Sequence, residues 1–157
     1  NYLSGFSKQK AYQKLLVSPT SLRKKFIFLI NREIENIEKG KKAEIIAKMN
    51  SLVDPEIIQL LYLASQKGVK IHLIIRGICC LYPQRENLSE NIKVTSIIGH
   101  FLEHSRIFWF YNDNNPEVFI GSADWMRRNL DRRIEAVILM IYFISHLHTI
   151  NIICNNL

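Results

Sequence analysis

The chain has 157 residues, of which 48% are hydrophobic and 22% are charged. This length and balance exclude an intrinsically disordered chain and are typical of one globular domain that buries a core. Lysine and arginine outnumber aspartate and glutamate by 21 to 14, so the formal net charge is +7. Such an excess favours polyanionic partners, which include nucleic acid, anionic lipid, nucleotides and chains of phosphate, and the charge alone does not choose among them.

The three cysteines argue against a secreted protein held together by disulfides. Cys79 and Cys80 are adjacent, a spacing that suits neither an ordinary structural disulfide nor a C-x-x-C metal or redox site. Together with Cys154 they are predicted to be buried thiols in a reducing cytosol. The first residue is Asn1, and no basic segment followed by an apolar one begins the chain, so Asn1 is interpreted as an internal residue.

The first predicted element is an amphipathic helix between Ser18 and Lys39. Its apolar residues recur at three- and four-residue spacing, and Gly40 supplies a stop signal. These apolar positions are Leu22, Phe26, Leu29, Ile30, Ile34 and Ile37.

A strand–helix–strand unit is predicted next. The mostly apolar run Glu44–Asn50 predicts a short strand. Asp54-Pro55-Glu56 then supplies an N-cap, a first-turn proline and an acidic first turn, and the helix is expected to end at Gly68. Val69–Ile75 predicts a second buried strand. Strands joined in this way are parallel, with a right-handed crossover.

The second half of the chain predicts further strands, at Ile92–Ile98, Arg106–Tyr111, Glu117–Gly121 and Ile134–Ile141. The turn-rich segment Asn112–Pro116 separates two of them and predicts a hairpin. The apolar stretch Ala136–Ile144 is too short to span a bilayer and is interpreted as a buried strand. The predicted fold class is therefore α/β, with a mixed sheet flanked by helices.

Two polar residues, Asn50 and Arg76, stand at the carboxyl ends of the two predicted parallel strands. Ligands of parallel α/β sheets gather beyond those ends. The guanidinium fork of an arginine matches phosphate oxygens, which makes Arg76 a candidate phosphate ligand. Taken alone, Arg76 is equally consistent with a structural salt bridge.

A second candidate group surrounds the predicted hairpin. If the hairpin turns near Asn114, His104 lies opposite Asp124, and Arg106 lies opposite Ser122. An imidazole, a guanidinium, a hydroxyl and a carboxylate then meet at the open end of one hairpin. A histidine oriented by a carboxylate can act as a nucleophile toward phosphate or as a proton donor. We therefore predict that His104 is catalytic, and that the other three side chains and Asn50 bind phosphate or orient the imidazole.

The pattern H-x-R at His104–Arg106, followed by G-S-x-D at Gly121–Asp124, resembles the half-site of the phospholipase D superfamily, which is H-x-K followed by G-S-x-N. Arg106 replaces the lysine of that pattern, and Asp124 replaces its asparagine. The resemblance implies enzymes that pair two half-sites, in which one histidine takes the phosphoryl group and the other handles the proton. A single half is therefore not expected to complete a turnover.

Longer motifs resemble the polyphosphate kinases over about residues 1–137. The matching segments are Ile45–Asp54, Ile75–Leu81, Leu88–Ile92, Phe101–Arg106, Gly121–Met126 and Arg128–Arg133. Tyr2–Gly5 and Lys14–Pro19 resemble the exit from a preceding domain. The resemblance implies that residues 1–17 end a preceding catalytic domain and that residues 18–138 form a C-terminal, phospholipase-D-like catalytic domain. Residues 139–157 are interpreted as a divergent tail.

The resemblance also implies an activity, which is the reversible transfer of the terminal phosphate of ATP to polyphosphate through a phosphohistidine in the upstream domain. Arg76 and His104 match residues that contact ATP, and His104 is implied to be a general acid or base. Magnesium is implied, with its ligands upstream, so no metal ligand is assigned here. The implied partners are ATP, ADP and polyphosphate, without nucleic acid, in a homo-oligomeric full-length enzyme. The implied location is the cytoplasm, either free or at the membrane within a complex.

Two other functions stay open from the sequence. One is half of a phospholipase-D-superfamily phosphodiesterase or phosphatidyltransferase, and the other is a non-catalytic domain that binds polyanions, supported by net charge alone. Four arginines crowd one predicted loop, where they form either a solvated basic surface or a set of phosphate donors. They are Arg127, Arg128, Arg132 and Arg133. Trp125 is predicted to be a core residue.

Overall fold

A seven-stranded mixed sheet organises residues 15–97 and 104–140, which are the residues that the computed structural model describes. The strands are β1 (Leu15–Val17), β2 (Glu44–Met49), β3 (Lys70–Ile75), β4 (Ile92–Ser96), β5 (Ile107–Phe110), β6 (Glu117–Gly121) and β7 (Ala136–Met140). The helices are α1 (Leu22–Glu38), α2 (Pro55–Gln66) and α3 (Arg127–Asp131). The predicted α/β class with a mixed sheet is confirmed.

The strand directions bring the ends of several strands to one edge of the sheet. The strand order is β1-β7-β6-β5-β2-β3-β4. The pairs β2–β3 and β3–β4 are parallel, and the other neighbours are antiparallel. The carboxyl ends of β1, β2, β3, β4 and β6 therefore lie at the same edge as the amino ends of β5 and β7. We call this edge the site edge.

The predicted strand–helix–strand unit is present, and its local signals act as expected. The Asp54 carboxylate accepts a hydrogen bond from the Ile57 N–H (3.1 Å), and Pro55 begins α2. The helix ends just before Gly68, whose φ of +100° is costly for other residues. The strands on either side pair in parallel, with Ile45 beside Ile71.

Both long helices, α1 and α2, contribute apolar side chains to the main core. Phe26 of α1 contacts Phe108 of β5 with ring centroids 4.6 Å apart, and Phe108 stacks on Trp125 at 5.2 Å. Trp125 is fully buried, so its predicted core role is confirmed. Because Trp125 belongs to the loop after β6, its burial fixes that loop, which lies at the site edge. A smaller apolar cluster includes Ile46 and Trp109, which alternate along their strands with residues of the main core.

The N-terminal element differs from the prediction. Helix α1 begins at Leu22 rather than at Ser18, because Leu15–Val17 form a strand that pairs with β7. Three residues carry little periodic signal, and their hydrogen-bonding partner lies far away in the sequence. At the other end, Leu139 and Met140 pair with β6, although the predicted domain ended at residue 138. The proposed division of the chain at residues 18 and 139 stays a prediction.

Two smaller expectations also changed. The arginine-rich segment after Trp125 contains the short helix α3 rather than a continuous loop. Cys79 is half-buried and Cys80 is exposed, so the prediction of buried thiols is wrong for Cys80. Residues 1–14, 98–103 and 141–157 lie outside the described residues, and with them Cys154, the ends of two predicted strands and most of the predicted tail. None of the described helices is long and apolar enough to cross a bilayer.

Candidate active site

Three loops at the site edge join into one hydrogen-bonded layer. They follow β2, β3 and β6, and Leu52 of the first loop lies between the other two. The Leu52 N–H donates to the Ile78 carbonyl (2.8 Å), and the Cys80 N–H donates to the Leu52 carbonyl (2.9 Å). The N–H groups of Val53 and Asp54 both donate to the Trp125 carbonyl (3.0 Å). The sequence motifs that surround these residues therefore belong to one site rather than to three separate ones.

Arg76 lies where β3 enters this layer, and its neighbour Gly77 fixes the backbone there. The Gly77 N–H donates to the Asn50 carbonyl (2.8 Å). A Cβ at position 77 would lie 3.0 Å from that same oxygen, so the close approach favours glycine. The Arg76 side chain is half-buried, and no ion pair among the described residues includes it. Both interpretations of Arg76, an anionic ligand and a structural salt bridge, therefore stay predictions.

Arg106 and Asp124 form an ion pair across the same edge. The Arg106 Nε and Nη2 donate to the two carboxylate oxygens of Asp124, at 3.1 and 3.2 Å. The side chains are only 12% and 8% exposed. The Asn50 N–H also donates to Asp124 (2.8 Å), and Arg106 Nη1 donates to the His104 carbonyl (3.0 Å). Four of the predicted site residues therefore meet in one network.

The hairpin register differs from the predicted one by one residue. Ile107 pairs with Ile120, and the Gly121 N–H donates to the Arg106 carbonyl (3.2 Å), so Arg106 lies opposite Gly121 rather than Ser122. The turn places Asn112, Asp113 and Asn114 in the left-handed region, with φ of 47°, 50° and 67°. Three such residues in succession set a loop that strand patterns alone do not specify. A shift of one residue exchanges the faces on which side chains lie, which separates Ser122 from Arg106.

Ser122 instead binds Glu135, a residue that the sequence analysis did not single out. The Ser122 hydroxyl and the Asn129 amide both donate to the Glu135 carboxylate. The Ala136 N–H donates to the Ser122 hydroxyl (3.2 Å). Glu135 directly precedes β7, so it is a buried carboxylate at the site edge. A carboxylate immediately before an apolar strand is the signal by which it was recognisable.

His104 is exposed and lies just before β5, at the site edge as predicted. Its carbonyl is fixed by Arg106. The predicted orientation of the imidazole by Asp124 is not what the described contacts show, because that carboxylate binds Arg106 and the Asn50 N–H. The Asn50 side-chain amide nitrogen is buried and has no hydrogen-bond partner among the described residues.

A cluster of ionic side chains around Arg23 joins the three helices near the site edge. Arg23 donates to Asp54 (2.5 Å), Asp131 (2.6 Å) and Glu56 (2.6 Å). Hydrogen bonds from Arg23 to Asp54 and then Asp131 raise the pKa of the guanidinium, so it stays charged. Burial alone would raise the pKa of Asp54, but the Arg23 guanidinium and the Ile57 N–H outweigh it and hold the pKa below its usual value. This cluster depends on tertiary contacts and was not predicted.

The same carboxylates do not make a metal site. Asp54, Glu56 and Asp131 each already accept a hydrogen bond from the Arg23 guanidinium, whereas a magnesium ion needs such oxygens for itself. Within residues 15–97 and 104–140, no group of three or more histidine, cysteine, aspartate or glutamate side chains is arranged to hold a metal ion. The arginines of the predicted loop, Arg127, Arg128, Arg132 and Arg133, are exposed. Their exposure is compatible with both interpretations given to them.

Comparisons with known proteins identify the family. The model "Polyphosphate kinase C-terminal domain 2" matches residues 15–153. The polyphosphate kinase of Prochlorococcus marinus (strain MIT 9313) is 68% identical over 137 residues, which are 87% of this chain and 19% of that protein. The crystal structure of polyphosphate kinase from Porphyromonas gingivalis has a TM-score of 0.88 at 43% identity, over 97% of this chain and 23% of that one.

A more distant likeness concerns the fold alone. Nuc from Salmonella typhimurium, a phospholipase D family member, has a TM-score of 0.52 at 17% identity, over 80% of each chain. The predicted phospholipase-D-like fold is therefore confirmed. The chain spans about a fifth of the length of the polyphosphate kinase named above, 19% of it. A family match over residues 15–153, together with the fold and the order of the motifs, shows that the chain belongs to the family of the polyphosphate kinase C-terminal domain 2.

Proposed function

We propose that this chain is the part of a polyphosphate kinase that holds ATP. The full-length enzyme would transfer the terminal phosphate of ATP reversibly to polyphosphate, through a phosphohistidine in a preceding domain. The observation that carries the proposal is the position of Arg76 at the carboxyl end of β3. Its half-buried guanidinium has no ion-pair partner among the described residues, and it lies in a chain of this family.

Arg76 and His104 have different roles in this proposal. The fork of Arg76 binds phosphate oxygens of ATP, because a guanidinium donates two parallel hydrogen bonds to such a group. His104 handles a proton as the phosphate is transferred, since its imidazole is exposed at the site edge and histidine is the side chain most often used as a general acid or base. The nucleophile on the other side of the phosphate comes from the preceding domain. The net charge of +7 supports polyanionic substrates in general.

The remaining components of the reaction lie elsewhere in the full-length protein. Magnesium, when bound, neutralises charge on the phosphates, and its ligands are expected in other domains, since no group of three or more acidic, histidine or cysteine side chains in residues 15–97 and 104–140 is arranged to hold a metal ion. ATP, ADP and polyphosphate are the proposed partners, and nucleic acid is not. A homo-oligomeric, cytoplasmic enzyme, either free or at the membrane within a complex, stays a prediction.

Neither alternative function gains support from a specific observation. The likeness to Nuc at 17% identity concerns the fold, and Arg106 and Asp124 differ from the superfamily pattern in a way that changes the local chemistry. A non-catalytic polyanion-binding domain rests on net charge alone. Both alternatives leave the family match over residues 15–153 unexplained.

The proposal is tested in the full-length enzyme that carries this domain. Arg76→Ala should weaken ATP binding more than about tenfold, because charge-assisted hydrogen bonds contribute about 1.5–3 kcal/mol. Arg85→Ala is the matched control, since it also removes one guanidinium but from an exposed loop side chain that stacks on Tyr82. Calorimetry gives the ATP affinity of each variant, and unchanged affinity and turnover in Arg76→Ala would exclude the assignment.

The role of His104 is tested in parallel. His104→Ala should lower turnover by about a hundredfold, the usual scale for a lost acid–base group, while ATP affinity changes less. The fold should persist, because the residue is exposed and precedes a strand. Acid-labile phosphate found on His104 itself would show that the two histidine roles are reversed.

A further inference from the structure

We propose that Arg106 and Asp124 act together as positioning residues for His104 and do not bind phosphate themselves. This inference rests on the proposed function of His104 and deepens it. At the corresponding places the phospholipase D pattern has lysine and asparagine, and a lysine there would present a free ammonium group. In this chain the guanidinium is already bound, so the charged side chain belongs to the scaffold of the site.

Each nitrogen of the Arg106 guanidinium has an acceptor within the chain. Nε and Nη2 donate to the two oxygens of Asp124, at 3.1 and 3.2 Å, and Nη1 donates to the His104 carbonyl at 3.0 Å. An arginine binds phosphate with this same planar fork. A phosphate that approached the Nε–Nη2 fork of Arg106 would therefore have to displace a carboxylate that is held by two hydrogen bonds in a largely buried place.

Charge favours the same conclusion. The side chains of Arg106 and Asp124 are 12% and 8% exposed, so neither is well solvated, and the pair as a whole is neutral. Breaking a buried ion pair leaves an uncompensated charge, which is costly. Arg76 differs, because no ion pair among the described residues includes it. Among the described residues, a carboxylate therefore occupies the fork of Arg106, and none occupies that of Arg76.

The network crosses the sheet in the way a support for His104 requires. Strand β5 lies between β6 and β2 in the sheet. Asp124, from the loop after β6, reaches across the amino end of β5 and accepts the Asn50 N–H at the end of β2 (2.8 Å). Arg106 then joins this carboxylate to the backbone of His104, the residue that leads into β5. The position of the His104 backbone therefore depends on three neighbouring strands at once.

The test uses full-length enzyme with Asp124→Asn and, separately, Arg106→Lys. The amide introduced at position 124 has nearly the same shape and still accepts the Asn50 N–H, but it removes the charge that holds Arg106. A lysine at position 106 keeps the charge but lacks the planar fork. In each variant we expect kcat to fall at least tenfold, KM for ATP to change less than twofold, and the pH profile of kcat to shift as His104 moves.

Glu117→Gln is the matched control. It breaks the ion pair between Arg32 and Glu117, whose side chains are 18% and 22% exposed, at the opposite end of β6. Its effect on stability should resemble that of Asp124→Asn, and its kcat and pH profile should stay those of the wild type. If instead Asp124→Asn and Glu117→Gln lower kcat equally, and neither moves the pH profile, the ion pair between Arg106 and Asp124 is merely structural and the proposal is wrong.

Three further outcomes separate the possibilities. If Arg106 does bind phosphate, Asp124→Asn frees its guanidinium, and KM for ATP should fall severalfold with kcat kept, which would overturn the inference. The double variant Arg106→Lys with Asp124→Asn should cost no more than the larger single change, because residues that act as one unit are not additive. Wild-type turnover in His104→Ala would instead refute the proposed function, on which this inference rests.

Discussion

Gly121 ends β6 at a place where the backbone of β7 approaches it closely. The substitution Gly121→Ala tests whether this close packing is the reason that the G-S-x-D motif has glycine at position 121. An ideal Cβ at this position would lie 2.4 Å from the Ala136 carbonyl oxygen. It would also lie 2.6 Å from Val137 Cγ2 and 2.8 Å from Val137 Cα. Two of these three atoms belong to the backbone, so no side-chain rotation relieves the collision. The two strands must separate.

The cost of that separation follows from the contacts it disturbs. Overpacking in a well-packed place costs about 1–3 kcal/mol. The Ser122 N–H donates to the Ala136 carbonyl (3.0 Å), and weakening that hydrogen bond adds about 0.5–1.5 kcal/mol. We therefore expect Gly121→Ala to lower the free energy of unfolding by about 2–4 kcal/mol, a large share of the stability of about 5–15 kcal/mol that is typical of a domain.

Urea denaturation of the chain, followed by the fluorescence of the buried Trp109 and Trp125, measures this change. With a slope of about 2 kcal/mol per molar urea, the midpoint should fall by about 1–2 M. When Val137→Ala is combined with Gly121→Ala, the coupling free energy between the two substitutions should be below about 0.5 kcal/mol, since the collisions with the backbone persist. A midpoint for Gly121→Ala within about 0.3 M of the wild type would refute the steric argument.

Two more outcomes concern the ionic cluster and the isolated chain. Asp54→Asn should lower the free energy of unfolding at pH 7 by about 1–3 kcal/mol, because a charged partner of Arg23 is lost. Asp54 has a pKa below its unfolded value of about 3.9, so its contribution is present above that pH and is lost as the pH falls through the folded-state pKa. Urea titrations from pH 7 to pH 2.5 should therefore show wild type and variant converging in acid. Separately, the purified 157-residue chain, incubated with labelled ATP and magnesium, should neither retain label on an alkaline gel nor make polyphosphate.

The parts of the fold that the sequence predicted are those with local causes. Asp54 caps α2 by accepting a hydrogen bond from the Ile57 N–H, and Gly68 follows the end of the same helix with a positive φ. Such signals act over a few residues and are visible in the sequence. Strand β1 has no comparable signal, because its three residues are ordered by hydrogen bonds to β7 at the far end of the described chain. The Arg23 cluster is likewise a tertiary product of three helices.

The sequence predicted which residues lie at the site edge better than it predicted which of their side chains bind each other. Strand-end reasoning selected Asn50 and Arg76, and both lie at the site edge. The hairpin argument paired Arg106 with Ser122 and His104 with Asp124, whereas the observed register places Arg106 opposite Gly121 and its side chain binds Asp124. It reaches Asp124 because arginine is long enough to span the difference. Glu135 was missed because strand-end reasoning was applied to carboxyl ends, whereas this residue stands before an amino end.

The two departures from the phospholipase D pattern are best understood as one change. Arginine in place of lysine, with asparagine kept at position 124, would leave a guanidinium that is 12% exposed without a counter-charge. Aspartate in place of asparagine, with lysine kept at position 106, would hold a carboxylate that is 8% exposed against a single ammonium instead of a two-pronged fork. Together Arg106 and Asp124 satisfy each other, and in the function proposed above Arg76 is then the charge that faces a ligand. Under that proposal the same fold presents a half-site for nucleotide binding and proton handling, because function depends on the groups at the edge and not on the sheet that carries them.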